Sequence, residues 1–110
     1  MTEGLRDVVL VLTTLPADLE SANRFARTVV EERLAACVNV SAPLRSIYRW
    51  KGEVEEEDER QLTIKTTAAR VQSLIARIQE LHPYDVPEIL VLPIADGGDA
   101  YLTWIRASTD

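Results

Sequence analysis

The chain has 110 residues, 46% of them hydrophobic, and 12 basic against 18 acidic side chains give it a formal net charge of −6. That length fits a single domain over 1–110, and the apolar fraction with only four glycines excludes intrinsic disorder. The acidic balance lacks the basic stripe of a nucleic-acid binder, one cysteine excludes an internal disulfide or CxxC site, and no apolar run approaches the roughly 20 residues of a membrane span.

The opening MTEGLRD has no apolar h-region, so a cytoplasmic protein without a secretory signal is expected. Val8–Leu12 is β-branched and continuously apolar, which predicts a central strand buried on both faces, stopping at a turn over Thr13-Thr14-Leu15-Pro16. Asp18 is placed to cap a helix whose apolar face is Leu19, Ala22, Phe25, Ala26, Val29 and Val30. Val38-Asn39-Val40 alternates as a strand, Pro43 interrupts it, and Leu44–Trp50 resumes it. Lys51-Gly52 supplies the reversal, and the return strand runs through an acidic block to Thr66, making a long hairpin from about Leu44 to Thr66. Thr66 or Thr67 is expected to cap a second helix with Val71, Leu74, Ile75, Ile78 and Leu81 inward, ended by Pro83. Ile89–Leu92 reads as a second buried strand, and Asp99 as the cap of a short final helix with Tyr101, Leu102, Trp104 and Ile105.

The order β-α-β-β-α-β-α predicts an α+β fold on the ferredoxin-like, split-βαβ plan, with the first and last strands adjacent. Two helices cannot cover strands as long as those of the hairpin, so its tip should project. The tip carries Tyr48 and Trp50 on one face and Ile47 on the other. Apolar surface of that kind marks an interface, and closed symmetry favours a small ring, so a homo-oligomer is expected.

Leu81-His82-Pro83-Tyr84-Asp85-Val86-Pro87-Glu88 packs an imidazole, a phenol and two carboxylates between two prolines that stiffen the chain. It reads either as a rigid connector or as one wall of a binding site. Trp50 as a stacking surface and Lys65 as a point charge are the opposing groups, although Lys65 also fits a solvated strand position. His82, the single histidine, fits either a helix C-terminus or a metal ligand recruiting Asp85, Glu88 or a neighbouring subunit. Cys37, between Ala36 and Val38, reads as a small buried hydrophobe. The six acids between Glu53 and Glu59 leave the rest of the chain neutral and read as a solvated arm that discourages edge aggregation. No nucleophile with an acid–base pair stands out, so an enzyme is not expected.

LAACVNV at 34–40, SIYRWKGEVEEEDE at 46–59, LTIKTT at 62–67, LHPYDVPEILVLPI at 81–94 and YLTWI at 101–105 together resemble the CutA divalent-ion tolerance proteins over nearly the whole chain. The resemblance implies a cytoplasmic homotrimer built by strand pairing between subunits, with divalent-metal tolerance, copper(II) binding and an architecture similar to PII signalling proteins. Some members draw copper ligands from a cysteine at the end of the first strand and from paired histidines before Pro-Tyr. Here those positions hold Thr14 and Leu81, and only His82 matches. Trp50, Lys65, Tyr84 and Glu88 lie inside the matching segments and become candidates for a ligand site between subunits. Two readings follow: a metal-binding or metal-responsive trimer with His82 as its imidazole ligand, and a PII-like trimer taking an organic anion near Trp50, Lys65 and Tyr84.

Overall fold

Val8 and the alternating residues after it start a strand that the computed structural model, which describes residues 7–110, extends to Pro16 as β1 (Val8–Pro16). The segment read for a targeting signal falls almost wholly on residues 1–6 and lies outside the described residues. After β1 come α1 (Leu19–Glu31), β2 (Cys37–Val40), β3 (Leu44–Trp50), β4 (Glu53–Thr67), a 3-10 turn (Ala68–Arg70), α2 (Val71–Leu81), β5 (Leu90–Pro93) and α3 (Asp99–Ser108). Among the described residues no helix is long and apolar enough to cross a membrane.

The expected turn at Thr13–Pro16 is instead strand. Pairing with β4 continues through Thr13↔Leu62, Leu15↔Arg60 and Pro16↔Glu59, and burial of Leu15 outweighs the turn preference of the local sequence. All strand pairs are antiparallel, in the order β2-β4-β1-β5, with β3 also on β4 as the continuation of β2 past Pro43. The first and last strands are therefore neighbours, as expected. Between β3 and β4 only Lys51 and Gly52 intervene, with φ of 51° and 82°. Two consecutive positive φ values give a turn whose twist matches the flanking strands, and glycine adopts the second without steric cost.

Odd-numbered residues of β1 and even-numbered residues of β4 meet the two long helices. Val9, Val11, Leu15, Leu62 and Ile64 pack with Phe25 and Val29 of α1 and Leu74 and Ile78 of α2. The carboxylate of Asp18 caps α1 as expected, accepting from the Glu20 amide. Neither threonine caps α2. The Thr66 hydroxyl donates to the Leu34 carbonyl at 2.8 Å, and Thr67 precedes the 3-10 turn with no side-chain cap bond. The N-cap position of α3 is Gly98, and Asp99 is already in its first turn. On the opposite sheet face α3 covers only one end, with Ile105 against Val8 and Ala36. Arg33 (φ 61°) ends the α1 segment and donates to the carbonyls of Ala107 and Asp110, while Arg70 donates to that of Thr109, so two guanidiniums hold the end of α3.

Along β5 and the part of β1 beside it, that second face is open. Leu92 lies across from Leu10 and Leu90 across from Leu12, which puts four leucines side by side. All four residues of β5 are exposed in the single chain, against the expectation of a buried strand. An apolar run signals burial, but not by which chain.

Thr13 points into the helix-covered core at zero exposure, and its hydroxyl has no hydrogen-bond partner among the described residues. Removing a buried, unpaired hydroxyl while keeping the branched shape is favourable. Thr13→Val is expected to raise unfolding stability by about 1 kcal/mol; a urea midpoint lower than that of the parent chain would contradict it.

Candidate functional site

The connector between α2 and β5 is held by its histidine. Past the end of the β5 ladder, the Thr14 carbonyl accepts from His82 Nε2 at 2.7 Å. The other ring nitrogen, Nδ1, accepts from the Tyr84 amide at 3.1 Å. A carbonyl only accepts and an amide only donates, so the ring carries its proton on Nε2. Both nitrogens of this buried ring are thus committed to backbone groups. His82 works here as a pin between β1 and the connector, and a metal ion at either nitrogen would have to displace one of these bonds. Among the described residues no three metal-ligating side chains converge.

The pinned segment lays the Tyr84 ring against that of His82, with centroids 4.7 Å apart, and carries its hydroxyl across to β4. There Tyr84 Oη donates to Glu59 Oε2 at 2.9 Å. Glu59 is only 6% exposed, which corrects the reading of the whole acidic block as a solvated arm. The strand alternation divides that block. Glu56 and Asp58 lie on one face and pair with Arg45, whereas Glu55, Glu57 and Glu59 share the other with Tyr48 and Trp50.

Between this second face and the connector lies a cleft of about 750 Å³. Trp50, Tyr84 and Glu88 line it, so three of the four ligand candidates from the sequence come together. Lys65 does not join them. It is six residues along β4 from Glu59, about 20 Å away, where its Nζ lies 3.2 Å from Tyr101 Oη of α3. With Lys65 elsewhere, the lining has no basic residue and five carboxylates: Glu55, Glu57, Glu59, Asp85 and Glu88. This charge does not suit the organic anion expected from the sequence. Tyr48 and the three glutamates were not among the predicted ligand residues, although the two-residue period of a strand already places them on the Trp50 side. Cys37 is half-buried and stands across from Lys65, away from the cleft.

Burial, then the hydrogen bond and charge of Glu59, push the Tyr84 hydroxyl well above the ordinary tyrosine range. Tyr48 is raised as well, by desolvation first and then by Glu57, Glu55 and Glu59. For a group whose folded pKa lies above its unfolded value, the stabilisation is complete below the unfolded value, near pH 10 for tyrosine, and is lost as pH rises through the folded one. Stability is therefore expected to fall above about pH 10, and less steeply in Tyr84→Phe. Parallel declines in the two proteins would contradict this assignment.

The family model described as CutA1 divalent ion tolerance protein matches residues 9–108. A divalent-cation tolerance protein CutA of Thermus thermophilus is 52% identical over 100 residues, covering 91% of this chain and 96% of that one. Its solved counterpart from the same organism superposes with a TM-score of 0.89 at 50% identity, covering 94% of this chain and 99% of that chain. The crystal structure of CutA from Xylella fastidiosa superposes with a TM-score of 0.90 at 45% identity, with the same coverage.

Proposed function

This chain belongs to the CutA1 divalent ion tolerance protein family, and on that premise we propose that it acts in divalent-cation tolerance as a homotrimer, with copper(II) as the ion it meets. The observation that carries the assembly is β5. Its four residues are exposed, its outer edge is unpaired among the described residues, and Leu90 and Leu92 extend an open leucine face. An exposed apolar edge, even one as short as this, is a template for pairing with another strand. The other free edge, β2 with β3, lies at the opposite side of the same sheet. Joining one edge to the other between copies is a head-to-tail contact, which closes into a ring when the rotation allows. Tyr101 and Trp104, stacked 5.5 Å apart beside Lys65, are exposed on the same side and supply aromatic area for the contact.

Copper(II) stands highest among common divalent ions for nitrogen and oxygen ligands. Because the His82 ring is occupied by backbone groups, the proposed metal contacts are ones that assembly brings together. Copper(II) titrated into the purified protein against a competing chelator is expected to bind saturably, and equally well in His82→Gln. Binding abolished by the chelator would remove copper from this reading; binding abolished by the variant would return His82 to the role of ligand.

A further inference from the structure

The two free edges of the sheet carry matching backbone groups. In an antiparallel ladder one residue turns its N–H and C=O to one side and the next residue turns them to the other. The Ala68 amide donates to the Asp7 carbonyl, so odd-numbered residues of β1 face β4 and even-numbered ones, Leu10 and Leu12, face β5. Their partners Leu92 and Leu90 are thereby bonded, and Val91 turns its amide and carbonyl outward. Pro93 obeys the same alternation, since its missing N–H falls on the outer side. At the other edge the carbonyls of Gln61 and Lys65 face β2, accepting from the amides of Ser41 and Ala36. Cys37 and Asn39 are therefore the residues bonded to β4, and Val38 and Val40 turn their backbone groups outward.

Level and direction agree as well. Val91 is level with Val38 across the sheet, through Val11 and Ile64. Both β1 and β2 are antiparallel to β4, and β5 is antiparallel to β1, so β5 runs antiparallel to β2. Closing a ring involves rotation without translation, and rotation about an axis along the strands keeps both level and direction. Each of the two strands has four residues. The side chains fit too. Val91 lies opposite Val11, on the helix-covered face, yet is 41% exposed. On that face beside β2 a groove of about 360 Å³ runs between Ala26 and Val30 of α1 and Val38 and Val40 of β2.

We propose that β5 of one copy seats on β2 of the next as an antiparallel pair centred on Val91 and Val38, with Val91 in the groove beside Val30 and Leu92 across from Cys37. The proposal rests on the trimer reading and adds its register. Val91 and Val38 exchange both of their backbone hydrogen bonds between copies. A slip of one residue would oppose groups that turn away from each other and carry Val91 out of the groove.

Leu92→Cys tests the register, because Cys37 is the single cysteine of the chain. Within one chain the two positions are three strand spacings apart, about 14 Å, too far for a disulfide. Between copies they form a non-hydrogen-bonded pair with Cα atoms about 4.5 Å apart, within disulfide reach. Leu90→Cys, level with Asn39, sets its thiol diagonally from Cys37, about 7–8 Å away. After oxidation with diamide, Leu92→Cys is expected to run as a covalent trimer on a denaturing, non-reducing gel, whereas the parent chain and Leu90→Cys run as single chains. Circular dichroism and sedimentation of the reduced variants, matched to the parent chain, establish that each is folded and assembled. A sedimenting trimer in which Leu92→Cys fails to crosslink, or in which Leu90→Cys crosslinks instead, would overturn the register and leave the trimer standing. A parent chain that sediments as a monomer would overturn both.

Discussion

His82→Ala is expected to cost about 2–4 kcal/mol of unfolding stability, measured at fixed protein concentration. The ring joins two backbone groups, the Thr14 carbonyl of β1 and the Tyr84 amide of the connector. Leaving a buried polar group unpaired costs about 1–3 kcal/mol, and the loss of contact with the Tyr84 ring adds to it. The effect is directional as well as large. Without the pin, the Pro83–Glu88 wall keeps only the Tyr84–Glu59 contact to the sheet, and the Tyr84 amide is expected to exchange hydrogen rapidly. Tyr84→Phe keeps both backbone bonds and gives up only the contact to Glu59, so its amide is expected to stay protected. Equal protection in the two variants would show that the imidazole does not hold the connector.

The second large effect is on assembly. Leu90→Lys/Leu92→Lys places two charges on the open leucine face beside Leu10 and Leu12. Both side chains are already exposed in the single chain, at 53% and 38%, so the isolated fold loses little. In an assembled protein the same charges would lie in a buried apolar contact, where an unpaired ammonium is strongly unfavourable. The variant is expected to sediment as a folded monomer. An unchanged oligomer would show that β5 is not the contact.

The elements were legible where the period was unbroken. Leu19 to Val30 at steps of three and four, Leu62 and Ile64 alternating with polar neighbours, and Lys51-Gly52 between two strands each carried their own signal. Thr13–Pro16 was misread because threonine, leucine and proline in a row resemble a turn, while the deciding term was non-local pairing with β4. Thr66 and Thr67 are good cap residues by type, but Thr66 has a better acceptor in the Leu34 carbonyl, which no local pattern reveals. The site was legible in part for the same reason. Trp50, Tyr84 and Glu88 stood out as aromatics and as part of a proline-stiffened connector, and they line one cleft, whereas Lys65 was singled out with them as a charge on the same hairpin. Strand rise carries it away from the cleft, to a position across from Cys37. Glu59 was hidden inside an acidic run whose other members are solvated; only the approach of Tyr84 from a distant segment buries it.

Sedimentation equilibrium of the unaltered chain at micromolar concentration bears most directly on the central claim. With a subunit of 12.3 kDa, a closed trimer has a mass of 3 × 12.3 = 36.9 kDa. The account predicts that mass, independent of loading concentration. A single species at 12.3 kDa would contradict it, because the leucine face and both free strand edges would then be stable in water without a partner.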